Sequence, residues 1–129
     1  MDKVRVLLAD DHRPFLEMVE NLVASTYEVV GRVSDGQPLF ETAGRLNPDI
    51  TVTDIFMPIL NGIEASRQLT AAGSVAKMIF LTAHVDAEFV ETCMGIGAFG
   101  YVTKARLATD LIPAIREAVA GHIFISPSF

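Results

Sequence analysis

Hydrophobic positions in this chain follow two patterns that alternate along the sequence. Short continuous apolar runs are typical of parallel strands covered on both faces, whereas apolar residues three and four positions apart are typical of helices. The predicted strands are Val4–Ala9, Tyr27–Val33, Asp49–Asp54, Ala76–Thr82 and Phe99–Val102. The predicted helices run to Ser25, from Ser34 to about Leu46, from Asn61 to near Gly73, from Asp86 onward, and through Leu111–Val119. Strand therefore alternates with helix five times.

The sequence supports these helices to different degrees. Two have clear apolar stripes, formed by Phe15, Met18, Val19, Leu22 and Val23 in the first and by Leu111, Ile112, Ile115, Ala118 and Val119 in the last. Two begin with a capping-box pattern, Ser34 with Gln37 and Asn61 with Glu64. The fourth, capped by Asp86, contains Thr92, Gly95 and Gly97, which are poor helix formers. We expect this fourth helix to be the least stable, with Cys93 as a small core residue.

Regular alternation of this kind predicts an α/β fold, in which an open parallel sheet has helices on both faces and right-handed crossovers. A chain of 129 residues fits one such domain. Ligands of these sheets bind at the carboxyl ends of the strands. The polar residues at those ends should therefore define a site, and they are Asp10, Asp11, Asp54, Thr82 and Lys104.

Composition excludes several other classes of protein. The net charge is −6 and Lys and Arg form no run, which argues against nucleic-acid binding by these residues. Charged residues interrupt each apolar run before it reaches membrane-spanning length, and Met1–Lys3 leads directly into a strand rather than a signal peptide. The single cysteine cannot form an internal disulfide. We expect a cytoplasmic chain without membrane contact.

The chemical hypothesis centres on Asp54, the acid that ends the middle strand. Three carboxylates in one crevice repel one another unless a cation is present, and Mg²⁺ suits oxygen ligands of this kind. The Asp54 carboxylate can then attack a phosphoryl group, while Lys104 supplies an ammonium and Thr82 a hydroxyl donor. Taken singly, each residue has an ordinary alternative: Asp10 and Asp11 a solvated turn, Asp54 a cap, Lys104 a surface charge.

The same residues carry a resemblance to response-regulator receiver domains. The matching segments are LLADDH (7–12), PDITVTDIFMPILNGIEA (48–65), IFLTA (79–83) and GAFGYVTK (97–104), and the likeness spans about residues 4 to 126. It implies a flavodoxin-like, doubly wound, five-stranded parallel sheet of order 2-1-3-4-5 with five helices. It also implies a signalling switch rather than an enzyme, with intrinsic phosphotransfer and autodephosphorylation.

The resemblance gives each site residue a role. Asp54 would accept a phosphoryl group from a histidine kinase, and Thr82 and Lys104 would bind that group. The implied Mg²⁺ ligands are Asp10, Asp11, Asp54 and the backbone carbonyl of Phe56. Tyr101 would be the aromatic residue whose rotamer reports phosphorylation, although an aromatic side chain in a short strand also serves packing. His84 would line the mouth of the site.

The two ends of the chain resemble NarL/FixJ-type regulators of the LuxR family. The similar segments are ADDHRPF (9–15) and AIREAVAGHIFISPSF (114–129), and Ala105 follows Lys104 where many receivers have proline. This implies a receiver over residues 1–122 and, over residues 123–129, the start of a linker to a helix-turn-helix effector domain. The implied function is transcription regulation by phosphorylation, with homodimer formation on phosphorylation as a further expectation.

Three alternative functions compete with this one. A stand-alone receiver would act as a phosphorelay intermediate or a docking module. A haloacid-dehalogenase-type phosphatase has a similar sheet and nucleophile, but it needs a second acid where this chain has Phe56. An interaction module that never turns over phosphate would not need Asp54, Thr82 and Lys104 together.

Overall fold

The computed structural model describes residues 3–34, 36–55, 62–83 and 87–127. Within these ranges the strands are β1 (Arg5–Ala9), β2 (Glu28–Val33), β3 (Ile50–Asp54), β4 (Lys77–Thr82), β5 (Gly100–Thr103) and β6 (Phe124–Ile125). The helices are α1 (Arg13–Ala24), α2 (Gly36–Leu46), α3 (Gly62–Ala71), α4 (Ala87–Gly95) and α5 (Leu107–Val119), and a short 3-10 turn spans Lys104–Arg106. The predicted caps Asn61 and Asp86 lie outside the described residues.

The strands form one parallel sheet of order β2-β1-β3-β4-β5-β6. The first five strands have the predicted order, but the prediction of a five-stranded sheet was wrong by one strand. The sixth strand pairs Phe124 with Gly100 and Ile125 with Tyr101. Two residues are too few to show a hydrophobic period, so the sequence pattern could not reveal this strand.

Helices cover both faces of the sheet, as predicted. On one face, α1 and α5 bury Val19 and Leu111 against alternate strand residues such as Leu8. On the other face, α2, α3 and α4 bury a second cluster that includes Leu7 and Cys93. Successive strand residues point to opposite faces, so each strand contributes to both clusters. Every helix among the described residues is too short or too polar to cross a membrane.

The apolar stripe of α1 differs from the prediction at two positions. Met18 is 51% exposed, and Leu16 is buried together with Val19 and Val23. Residues 16, 19 and 23 share one face at helical spacing, so Met18 is rotated about 100° away from Val19 on the helix surface. Cys93 is buried as expected, and burial raises the pKa of its thiol to about 11.

The end of α5 directs the chain toward the sixth strand. Gly121 has a φ of 85°, a conformation that costs glycine little because it has no Cβ. Its N–H donates to the Ala118 carbonyl over 3.0 Å, and the His122 N–H donates to the Glu117 carbonyl over 2.8 Å. This pair of bonds is a Schellman motif. The chain thereby reverses and runs back along β5.

Candidate functional site

Three acids meet where two adjacent strands end. Asp10 and Asp11 follow β1, and Asp54 is the last residue of β3, which pairs with β1. One carboxylate oxygen from each acid lies within 4.8 Å of the others. Asp10 is 1% exposed and Asp54 is 6% exposed, whereas Asp11 is open to solvent. The structure therefore brings together the three acids that the strand ends predicted.

Lys104 joins two of these acids across the edge of the sheet. Its Nζ lies 3.0 Å from Asp10 Oδ2 and 3.4 Å from Asp54 Oδ2. The ammonium also lies 4.4 Å from the centre of the Phe15 ring, a distance at which the ring face attracts a cation. The sequence pattern predicted Phe15 only as part of the apolar stripe of α1. Three carboxylates and one ammonium leave a formal charge of −2, so the site still attracts a further cation.

The two oxygens of Asp10 have different environments. Oδ1 accepts a 2.9 Å hydrogen bond from the His12 N–H. Oδ2 is buried and has no hydrogen-bond partner among the described atoms, although the Lys104 ammonium stands beside it as an ion pair. Buried oxygens normally have a partner. A divalent cation with a preference for carboxylate oxygens fits this incompletely satisfied oxygen and the two neighbouring acids.

Thr82 and Tyr101 lie on the next two strands. Thr82 is the buried last residue of β4 and pairs with Thr103, the residue before Lys104. Its neighbour Leu81 pairs with Asp54, so Thr82 lies at the same edge as the acids. Tyr101 is buried in the cluster beneath α2, α3 and α4. Two other predicted site residues, Phe56 and His84, lie outside the described residues.

A cleft of about 680 Å³ opens beside the acids. Asp10 and Asp11 form part of its wall, and Arg13, Arg32 and Ser34 line the side toward β2. Arg32 is held at this wall by a 2.9 Å ion pair with a glutamate of α1. The exposed carboxylate of Asp11 is therefore reached through a cleft with a mixed polar and apolar lining.

A further buried carboxylate, which the sequence did not predict, lies six residues after Lys104. Asp110 is 3% exposed. It accepts hydrogen bonds from Arg106 Nε over 2.8 Å, from Arg106 Nη2 over 3.3 Å and from Ser126 Oγ over 2.7 Å. The Ser126 hydroxyl in turn accepts from the Thr103 N–H over 3.2 Å. Only the spacing of Arg106 and Asp110, four residues apart on a helix, was visible in the sequence.

The pKa of Asp110 reflects two opposing influences. Burial by itself raises the pKa of this carboxyl group, because the charged form loses solvation. The hydrogen bonds from Arg106 and Ser126, together with the charge of Arg106, outweigh burial and hold the pKa below its ordinary value. Asp110 is therefore an ionised carboxylate at neutral pH.

Comparison with known proteins gives a consistent family. Residues 6–116 match the family described as response regulator receiver domain. The transcriptional regulatory protein DegU of Brevibacillus brevis is 34% identical, over 98% of this chain and 54% of that protein. The transcriptional regulatory protein LiaR of Bacillus subtilis (strain 168) is 36% identical, over 92% of this chain and 57% of that protein. The chain thus spans little more than half the length of these relatives.

Solved structures show the same fold. A two-component response regulator of the LuxR family from Aurantimonas sp. SI85-9A1 has a TM-score of 0.93 and 31% identity, covering 98% of this chain and 91% of that one. The response regulator domain of Thermotoga maritima CheB has a TM-score of 0.83 and 30% identity, covering 92% of this chain and 97% of that one. These structures confirm the flavodoxin-like receiver architecture that the alternation and the motifs predicted.

Proposed function

Since the chain belongs to the response regulator receiver family, we propose that Asp54 accepts a phosphoryl group from a histidine kinase and that this changes an outer surface of the domain. The observation that carries the proposal is the convergence of Asp54 with Asp10, Asp11 and Lys104 at one edge of the sheet. Nearly complete burial of Asp54 limits competing water. A buried acid beside a cation and other acids is a common arrangement at reactive sites.

The proposed reaction transfers a phosphoryl group from a histidine nitrogen to a carboxylate oxygen of Asp54. A carboxylate oxygen of Asp54 attacks the phosphorus of a phosphohistidine, the P–N bond breaks, and its electron pair leaves on the imidazole, which takes up a proton. The products are an aspartyl phosphate and a free histidine. Lys104 Nζ lies 3.4 Å from Asp54 Oδ2, so its ammonium is placed to stabilise negative charge on the phosphoryl oxygens. Thr82 would donate its hydroxyl to the same oxygens, and Tyr101 would respond to that contact.

Mg²⁺ is the cofactor that we assign to the acids. Asp10, Asp11 and Asp54 would hold it together with the backbone carbonyl of Phe56, and the bound ion would supply positive charge against the phosphoryl oxygens. Asp10 Oδ2, which has an ion pair with Lys104 but no hydrogen-bond partner among the described atoms, supports this assignment. Return to the resting state is an autodephosphorylation, in which water attacks the phosphorus and releases inorganic phosphate and the Asp54 carboxylate.

The switch would act on a further domain. DegU and LiaR are transcriptional regulatory proteins about half of whose length this chain covers. We assign residues 1–122 to the receiver and 123–129 to the start of a linker to a helix-turn-helix domain, with homodimer formation on phosphorylation. The net charge of −6 argues against DNA binding by this chain. We therefore assign DNA binding to the effector domain. We also propose that the protein acts in the cytoplasm.

Labelling with acetyl phosphate tests the proposal. The chain incubated with this small phosphodonor and Mg²⁺ should gain the mass of one phosphoryl group, and omission of Mg²⁺ should largely prevent the gain. Asp54→Asn should abolish it because the nucleophile is gone. Asp49→Asn is the matched control, since Asp49 is exposed at the opposite edge of the sheet and accepts only the Arg5 N–H there. Labelling that survives in Asp54→Asn would place the acceptor elsewhere.

A further inference from the structure

The residues before and after Lys104 are both linked by hydrogen bonds to the carboxy-terminal segment, which is residues 124–127. Before it in the chain, the Thr103 N–H donates to Ser126 Oγ over 3.2 Å. After it, Arg106 ends the 3-10 turn that begins at Lys104 and binds Asp110 over 2.8 Å. Asp110 and Ser126 are themselves joined by a 2.7 Å hydrogen bond. The backbone that carries the ammonium of the phosphorylation site is thus held on two sides by one buried pair.

The same pair fixes the end of the described chain. Ser126 is buried although it is the last residue but one in the described part. Its N–H donates to the Tyr101 carbonyl over 2.8 Å, and the Phe124 N–H donates to the Phe99 carbonyl over 3.0 Å. Strand β6 is only two residues long, so these bonds and the Ser126 hydroxyl contribute substantially to its attachment to β5. Loss of one of them would matter to the whole segment.

We propose that the Asp110–Ser126 pair is a latch that holds the carboxy-terminal segment on β5 while Asp54 is unphosphorylated and releases it when Lys104 engages a phosphoryl group. This inference rests on the proposed function, because phosphorylation is its trigger. Asp110 and Ser126 act as positioning residues that touch neither the acids nor the phosphoryl group. Release of the latch would couple the phosphorylation site directly to the chain after residue 127. This coupling would act in addition to the one through Thr82 and Tyr101.

The direction of the effect follows from charge and distance. Lys104 now stands between Asp10 and Asp54. A phosphoryl group on Asp54 adds a dianion with three strong acceptors, so the ammonium and the turn behind it are drawn further toward Asp54. The bond from Thr103 to Ser126, at 3.2 Å, is longer than the 2.7 Å bond between Ser126 and Asp110 and lies at the long end of the hydrogen-bond range. It should break first, and Asp110 keeps its bonds from Arg106 when Ser126 then moves away with the carboxy-terminal segment.

Amide hydrogen exchange, resolved by residue with NMR, tests the latch. In the unmodified chain, phosphorylation with acetyl phosphate and Mg²⁺ should accelerate exchange of the Thr103 and Ser126 amides about tenfold, which corresponds to the loss of one hydrogen bond. Ser126→Ala should show this fast exchange without phosphorylation, and phosphorylation should then add little. Asp110→Asn changes the other partner of the pair, which lies in α5. This variant should also lose the acceleration of exchange on phosphorylation.

The control is Ser25→Ala, which removes a hydroxyl that donates to the Leu22 carbonyl at the exposed end of α1; this variant should keep the full response. Circular dichroism verifies that each variant is folded, and intact mass verifies phosphorylation separately. Fully phosphorylated chain with unchanged or slower exchange at Thr103 and Ser126 overturns the latch but not the proposed function, and so does a response that persists in Ser126→Ala. A chain that takes no phosphoryl group overturns the proposed function, and the trigger of the latch with it.

Discussion

Two buried aspartates of this domain, Asp10 and Asp110, each face a cation but are satisfied to different extents. Asp110 receives hydrogen bonds on both oxygens, two from Arg106 and one from Ser126. Asp10 receives one from the His12 N–H, and its Oδ2 has only the ion pair with Lys104, among the described atoms. Both are almost completely buried, so burial alone does not distinguish a proposed metal ligand from a structural acid.

The two aspartates also differ in the kind of cation that they face. A guanidinium matches a single carboxylate with fixed donors, which suits a permanent pair. The Lys104 ammonium is shared between two acids at 3.0 and 3.4 Å and can be redirected to a new anion. Of these two aspartates, the incompletely satisfied one is the acid that we propose to bind a metal, and the completely satisfied one holds structure.

The largest expected effect is on the rate of phosphorylation. Lys104→Ala should slow labelling by acetyl phosphate about 10²-fold or more, because the charge beside Asp54 is lost. Arg106→Ala removes the other cation and should leave the labelling rate within about threefold, since the ion pair that Arg106 makes among the described residues is with Asp110 rather than with Asp10, Asp11 or Asp54. Lys77→Ala is a matched lysine control, with its ammonium 5.1 Å from the Phe99 ring at the far end of the sheet. Comparable losses of labelling rate in Lys104→Ala and Arg106→Ala would contradict the distinction between the two cations.

The next effect is on stability. Asp110→Asn should lower the free energy of unfolding by about 2 kcal/mol near pH 7, because buried charge-assisted bonds are lost. The folded pKa of Asp110 lies below its ordinary value, so its contribution is present above the unfolded pKa of about 3.9 and is lost as the pH falls through the folded pKa. Urea denaturation should show the difference from the unmodified chain shrinking below about pH 4. A difference independent of pH would mean that the charge is not involved.

Asp54→Asn should change stability in the opposite direction. Removal of one of three neighbouring carboxylates relieves repulsion, and we expect a gain of about 1 kcal/mol in the absence of Mg²⁺. Urea denaturation at low salt measures it, and added Mg²⁺ should stabilise the unmodified chain more than the variant. A loss of stability in Asp54→Asn would mean that this acid, too, is structural.

The smallest effect concerns an unsatisfied group far from the chemistry. Thr51 Oγ1 is fully buried in β3 and has no hydrogen-bond partner among the described atoms. Thr51→Val keeps the shape and removes the hydroxyl, so the free energy of unfolding should rise by about 0.5 to 1 kcal/mol. Thr70→Val, on the exposed surface of α3, is the control for the change of residue type. A destabilised Thr51→Val chain would show that this hydroxyl does have a use.

The sequence predicted the acids well because strand ends are local features. Asp10 and Asp54 each end an apolar run, and parallel strands bring such ends to one edge. Asp110 and Ser126 could not be paired in the same way, since their contact depends on the reversal at Gly121 and on a two-residue strand. Their side chains also lie in segments where a polar residue is unremarkable, so only the folded structure shows that both are buried.

The burial of Cys93 has a practical consequence for following these motions. Thiolates, not thiols, react with maleimides and disulfides, and a pKa of about 11 leaves roughly one thiol in ten thousand ionised at pH 7. The only cysteine of the chain is therefore almost inert while the domain is folded. An Ala105→Cys substitution, at an exposed position next to Lys104, would accept a fluorophore selectively and report the movement of the turn in real time.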